Sequence, residues 1–250
     1  MPGTQNETEK PRVSVLMLTF NHEKYIAQAV NSVLMQDVDF RLEVVIGEDC
    51  STDRTAGILR EMERQHPERL TVLYRKTNLG MMGNFLDTYH ACRGDYIALL
   101  EGDDYWTDPL KLRKQLAQLN EHREWSACFH AAEYVDAEGR PTGYKHPAKV
   151  QRQYGLEALV RENHIQTCTL MLSRSMVPVI PAWFKKLPCG DWPLCILLAE
   201  KGEIGFIPET MANYRVHDRG VWSSQSEQQR WLNSLDMLLC IARELKDPTA

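Results

Sequence analysis

"DYIALLEGDDYWTD", residues 95–108, carries an apolar run straight into Glu101, Asp103 and Asp104. The run has the uninterrupted, branched character of a strand buried on both faces. Carboxylates this close repel and raise one another's pKa unless positive charge sits among them. A divalent cation that prefers oxygen ligands, Mg2+ or Mn2+, meets that need. The plainer alternative is a solvated acidic turn leading into a helix at Asp108-Pro109, cap and first turn. Spacing alone leaves both open.

Working outward, "VSVLMLTF" (13–20), "LEVVIGED" (42–49) and "LTVLYR" (70–75) are three more strand-like runs. "NHEKYIAQAVNSVLMQ" (21–36) sets Tyr25, Ile26, Ala29, Val30, Val33 and Leu34 at helical spacing, with Asn21 as the expected N-cap. Ser51 or Asp53 is the expected cap of a helix through "TAGILREMERQH", and "NFLDTYHAC" (84–92) is a further helical stretch. Four strand–helix alternations predict an α/β fold: a mostly parallel sheet, helices on both faces, right-handed crossovers. Thr19/Asn21, Glu48/Asp49 and the acidic cluster each fall just past a strand's carboxyl end. That edge is where open α/β sheets bind ligands.

After residue 110 the alternation loosens. "DPLKLRKQLAQLNEH" (108–122) predicts a helix and "WSACFHAAEYVD" (125–136) a strand antiparallel to its neighbours. Residues 140–155, rich in Gly, Pro and Lys, predict a mobile loop. "TCTLMLSRS" (167–175) predicts a strand, "DWPLCILLAEKG" (191–202) a short buried helix, and "IGFIPETMANYRVH" (204–217) a strand pair or a strand and turn. "SEQQRWLNSLDMLLCIAREL" (226–245) is amphipathic, with Trp231, Leu235, Leu238 and Leu239 on one side. The expected organisation is one domain over 1–250: a ligand-binding half (12–115), a second half (116–222) and a C-terminal helix (223–250).

Composition narrows the function classes. The chain has 250 residues, 43% apolar and 25% charged, with net charge −5, which argues against nucleic acid as the main ligand. Seven cysteines form no CxxC pair and no zinc-like spacing, as reduced, core-packed thiols would. The polar opening "MPGTQNETEKPR" lacks a signal core, and no apolar run approaches the ~18 residues of a membrane span. The expected location is cytoplasmic, with peripheral membrane contact left open. Neither GxxxxGK[ST] nor a GxGxxG after a strand is present, which removes P-loop enzymes and ordinary dinucleotide dehydrogenases.

"VSVLMLTFNHEKYIAQAVNSVLMQ", "LEVVIGEDCSTDRT", "NLGMMGNF" and "GDYIALLEGDDYWTDPLKL" together resemble the inverting GT-A glycosyltransferases of family 2, in that family's order and spacing over roughly residues 12 to 115. "GDWPL" (190–194) and "YRVH" (214–217) resemble later family features. A sugar-1-phosphate nucleotidyltransferase would share the sheet, but its glycine-rich opening is absent. A metal phosphohydrolase would need a nucleophilic Asp where this chain has Thr19-Phe20-Asn21.

The resemblance implies a role for each matching position. Thr19, Asn21, Asn78 and Gly80 would line the nucleotide pocket, and Asp49 would accept an N–H from uracil or thymine. Glu48 stands where aspartate is commoner. Asp103 and Asp104 match the end of the DxD-type motif, which binds ribose and the diphosphate's Mn2+ or Mg2+; Glu101 stands at its first aspartate. His217 would reach back to metal or diphosphate, and the other seven histidines have no such context. Asp191 would be the general base, its alternative being a helix N-cap ahead of Pro193. Arg215 or Arg219 would neutralise the leaving diphosphate. The implied partners are a UDP- or dTDP-sugar donor and a saccharide or lipid-linked acceptor of bacterial cell-surface polysaccharide type. A binding module on the same fold without catalysis is the alternative. Trp183, Trp192, Trp222 and Trp231 fit either sugar stacking or core packing.

Overall fold

The computed structural model of the chain describes residues 10–147, 150–218, 220 and 224–244. Its first half alternates β1 (Val13–Thr19), α1 (Ile26–Leu34), β2 (Leu42–Glu48), α2 (Thr55–Gln65), β3 (Leu70–Tyr74), α3 (Gly80–Ala91) and β4 (Tyr96–Glu101). β5 (Tyr105–Trp106), α4 (Lys111–Glu121), β6 (Trp125–Val135), β7 (Pro141–His146), β8 (Gln153–Tyr154) and α5 (Leu156–Arg161) follow. β9 (Met171–Ser173), α6 (Asp191–Ala199), β10 (Glu203–Arg215) and α7 (Glu227–Glu244) complete the order.

The strands form one sheet in the order β3-β2-β1-β4-β9-β6-β10-β5, with β7 on β6 and β8 on β10. Parallel pairs carry the long ladders: β1 with β2 and β4, β2 with β3, and β6 with β10. The antiparallel contacts of β9, β5, β7 and β8 span only two or three residues each. β1 is buried along nearly its whole length because helices cover both faces. Its alternate residues divide between two cores: Val13, Val15 and Met17 pack with Ile26, Val30 and Leu112, while Leu16 packs with Phe85, Tyr89 and Leu194.

Several expectations change. Asn21 does not cap α1; it adopts φ 57° and the helix starts only at Ile26. Neither Ser51 nor Asp53 is the N-cap of α2, which is Arg54; Asp53 Oδ1 accepts the Thr55 N–H at 2.9 Å from one residue further out. α3 starts four residues earlier than predicted, at Gly80. Residues 167–169 form a 3-10 turn before the short β9. Residues 204–217 hold one bulged strand, not a pair. The expected mobile loop instead supplies β7 and β8, with residues 148–149 outside the described set. Trp183 and Trp192 are core residues, Trp231 is exposed, and Trp222 lies outside the described residues. Among the described residues no helix is long and apolar enough to cross a membrane.

Candidate functional site

The carboxyl ends of β1, β2 and β4 converge with the end of β10. At β1, the Thr19 carbonyl accepts the Asp49 N–H at 3.1 Å, which ties the first two strand ends together. Asn21 crosses to the loop after β2: its N–H donates to Ser51 Oγ at 2.9 Å and its Oδ1 accepts the Thr52 N–H at 2.8 Å. Asn tolerates the left-handed backbone this crossing needs; Cys50, opposite, adopts φ 61°, uncommon for its type. Glu48 is buried and accepts the Ser51 N–H at 2.7 Å.

Asp49 meets the start of α3. Its Oδ1 accepts the Leu79 N–H at 2.7 Å, and Asn78 Nδ2 donates to its carbonyl at 3.1 Å. Asn78 Oδ1 in turn accepts the Gly80 N–H at 2.9 Å, an Asx turn. Gly80 has φ 74°, a backbone that side-chain-bearing residues resist. Burial pushes the Asp49 carboxyl above its ordinary range, more than the N–H donors of Leu79 and Gly80 pull it down. Asp49, Asn78 and Gly80 therefore form one continuous rim.

The acidic turn after β4 divides its carboxylates between two environments. Asp103 Oδ2 lies 3.0 Å from His217 Nε2 and 3.6 Å from His22 Nε2. Burial pushes Asp103 up, but the His22 charge and the His217 hydrogen bond outweigh it and hold the group below the usual aspartate range. Asp104 turns inward: its Oδ1 accepts the backbone N–H of Arg215 at 2.7 Å and its Oδ2 is buried without a hydrogen-bond partner. Burial and then Asp103 push Asp104 well above normal, against Arg215. One Asp104 oxygen thus anchors β10, while the other is left without a partner beside Asp103.

Glu101 also ends in a buried, unpartnered oxygen. Burial raises it well above its ordinary range, and Asp104, Asp103 and Asp191 add to the rise. The charge of Asp191 therefore reaches the acidic turn although it sits on another element. Asp191 is the first residue of α6, not its N-cap, which is Gly190. Its Oδ2 accepts the Thr167 hydroxyl at 3.4 Å.

Arg215 is not available for a diphosphate. Its Nε donates to the Asp103 carbonyl at 2.9 Å, Nη1 to the carbonyls of Asp136 and Ala137, and Nη2 to Gln28 Oε1. The guanidinium lies over Tyr25, 4.6 Å from the ring centroid. Arg219 lies outside the described residues. His22, expected to lack functional context, is the residue the sequence reading missed. Its Nδ1 contacts Thr19 Oγ1 at 3.2 Å, and Tyr25 packs on His217 with ring centroids 5.1 Å apart. The signal was Gly102: a Cβ there would sit 2.7 Å from Thr19 Oγ1 and 2.8 Å from His22 Nδ1.

A mostly parallel sheet whose strand ends bear a buried acidic turn, a histidine just past a distant strand and an Asn/Asp/Gly rim is the arrangement of the GT-A class of fold. The chain belongs to glycosyl transferase family 2, whose family model matches residues 14–177. It is 39% identical over 219 residues to the Mycobacterium tuberculosis protein Rv1520, covering 87% of this chain and 62% of that one. The chain thus spans under two thirds of the length of the mycobacterial relatives. It is 29% identical to the putative teichuronic acid biosynthesis glycosyltransferase TuaG of Bacillus subtilis, covering 86% of this chain and 83% of TuaG. Staphylococcus aureus TarS 1-349 in complex with UDP-GlcNAc superposes with TM-score 0.69 at 20% identity, over 92% of this chain and 66% of TarS. The Pyrobaculum calidifontis mannosyltransferase PcManGT, in complex with GDP-Man and Mn2+, superposes with TM-score 0.68 at 17% identity, over 98% of this chain and 67% of PcManGT.

Proposed function

We propose that the chain is a metal-dependent glycosyltransferase. It moves a sugar from a UDP- or dTDP-sugar to a hydroxyl of a saccharide or lipid-linked acceptor, with inversion at the anomeric carbon. The observation that carries this is the Asp103–His217 pair at the carboxyl edge of the sheet, beside an acidic turn that feels the charge of Asp191.

The donor set fits a divalent cation shared with a ligand. Among the described residues no three His, Cys, Asp or Glu side chains form a complete metal cage. One carboxylate and one imidazole leave most positions for diphosphate oxygens and water, as suits Mg2+ or Mn2+. Asp103 and His217 would hold that ion, which supplies charge neutralisation for the departing diphosphate. The Asp49–Asn78–Gly80 rim would take the base, with Asp49 accepting the N–H of uracil or thymine. Thr19, Asn21 and Glu48 shape the floor beneath it.

Asp191 then takes the proton of the acceptor hydroxyl as that oxygen bonds to the anomeric carbon and the bond to the diphosphate breaks. One displacement, with oxocarbenium character, inverts the centre and needs no carboxylate nucleophile. The test is incubation of the protein with UDP- and dTDP-sugars, Mn2+ and saccharide acceptors, with NMR assignment of the product's anomer. Inverted product that EDTA abolishes supports the proposal. Retained configuration, EDTA-resistant transfer, or donor binding without transfer or hydrolysis sinks it, the last pointing to a binding module.

A further inference from the structure

Helix α7 has two apolar faces and the fold covers only one. Met237 and Ile241 are buried against the body, where Met237 Sδ meets Cys189 Sγ at 3.5 Å. On the other side Trp231 is 71% exposed, Leu232 50%, Leu235 54% and Leu239 46%. Large apolar groups clustered on one exposed face mark a surface that is covered in use.

The order of residues on that face says by what. At four-residue steps the ridge reads Glu227, Trp231, Leu235, Leu239, Arg243. Such i±4 rows are the ridges by which helices interlock, crossing at about −50°. The row is symmetric about Leu235 in its apolar members and opposite in its charged ends. Turned antiparallel on a copy of itself, Trp231 meets Leu239, Leu235 meets Leu235, and Glu227 meets Arg243 twice. A parallel pairing would set Glu227 on Glu227 and Arg243 on Arg243. Neither charge has an ion-pair partner within the chain among the described residues.

A bilayer is the poorer match. Helices that lie in anionic interfaces are basic on their polar face. α7 carries Arg230 and Arg243 against Glu227, Asp236 and Glu244.

We propose that α7 is a homodimer interface: two copies pair antiparallel about a two-fold axis at Leu235, an isologous contact. An 18-residue helix is about 27 Å long, so the contact is smaller than a standard interface of about 800 Å² per partner. The dimer is accordingly a reversible, micromolar one. This inference stands independently of the donor chemistry.

Sedimentation equilibrium of the 250-residue protein over micromolar concentrations tests it. The mass should rise from monomer toward dimer, and Leu235→Asp should remain monomeric with an unchanged melting temperature, because the side chain is exposed. Glu227→Arg and Arg243→Glu should each weaken the dimer about tenfold, and the double variant should restore it. Wild type that is monomeric throughout, a dimer indifferent to Leu235→Asp, or a charge swap that does not restore pairing overturns the proposal. Monomeric protein that floats with phosphatidylglycerol vesicles also overturns it, assigning the face to a membrane.

Discussion

Asp103 and His217, 114 residues apart in sequence, meet with His217 Nε2 3.0 Å from Asp103 Oδ2. Asp104 is the next residue, yet its Oδ1 holds the backbone of Arg215 instead. On the proposed reading of the site, Asp103 faces ligand while an Asp104 oxygen holds the scaffold, and substitution separates the two roles. Asp103→Asn should fold normally but lose the Mn2+ dependence of donor binding in calorimetry. Asp104→Ala should be destabilised by about 1–3 kcal/mol in urea unfolding, because it leaves the Arg215 N–H buried without an acceptor. Equal stability of the two variants would falsify this division.

Asp191→Asn preserves size and one accepting oxygen but cannot take a proton at neutral pH. Donor and Mn2+ affinity should stay near the parent's, while transfer slows by about 10²–10⁴. Thr167 would still find an acceptor in the amide, so any loss of stability should be small. Near-normal turnover on the true acceptor would send the search for the base to Glu209 or Asp218.

Gly102→Ala places a methyl group 2.7 Å from Thr19 Oγ1 and 2.8 Å from His22 Nδ1. Overpacking of this kind costs about 1–3 kcal/mol. The variant should melt lower and bind donor more weakly, since the displaced ring is the one beside Asp103. Unchanged melting and affinity would show that His22 moves aside freely.

Lys111 is fully buried over the Trp106 ring, its Nζ 3.6 Å from the centroid and without a hydrogen-bond partner. Burial pushes its pKa down to about 7. The unfolded value is about 10.4, so between these two pH values the unfolded chain holds more protons. This group's contribution to stability therefore rises with pH across the window, and below it the full cost of burying the charge is present. Lys111→Met should raise the melting temperature at pH 7 and raise it less at pH 10. A gain that is the same at both pH values would mean the folded amine keeps its proton as the unfolded one does, with no depressed pKa.

The parallel half of the fold was legible because four continuous apolar runs admit few arrangements. "VSVLMLTF" and "DYIALL" can only be central strands with both faces covered. β7 was not legible: Pro141–His146 is almost wholly exposed, so no alternation marks it, and pairing with β6 alone makes it a strand. Asn21 misled because its residue type suits both an N-cap and a left-handed crossing, and only the contact with Thr52 decides. Arg215 looked like a phosphate ligand by composition, whereas its donors go to carbonyls 78 to 112 residues away and to Gln28. Those distances carry no local signal.

The pairing of β10 with β6 and β5 sets an order of events during synthesis. The acidic turn leaves the ribosome 111 residues before Arg215, the residue that holds Asp104. Until β10 arrives, that carboxylate has no reason to leave water, and the parallel half of the sheet can form with the turn still hydrated. A nascent or proteolysed chain ending at residue 177, where the family match stops, would keep the rim of Asp49, Asn78 and Gly80 yet lack Asp191 and His217. On the proposed reading of the site, completion of the sheet and completion of the site are one step, so an unfinished chain would also be an inert one.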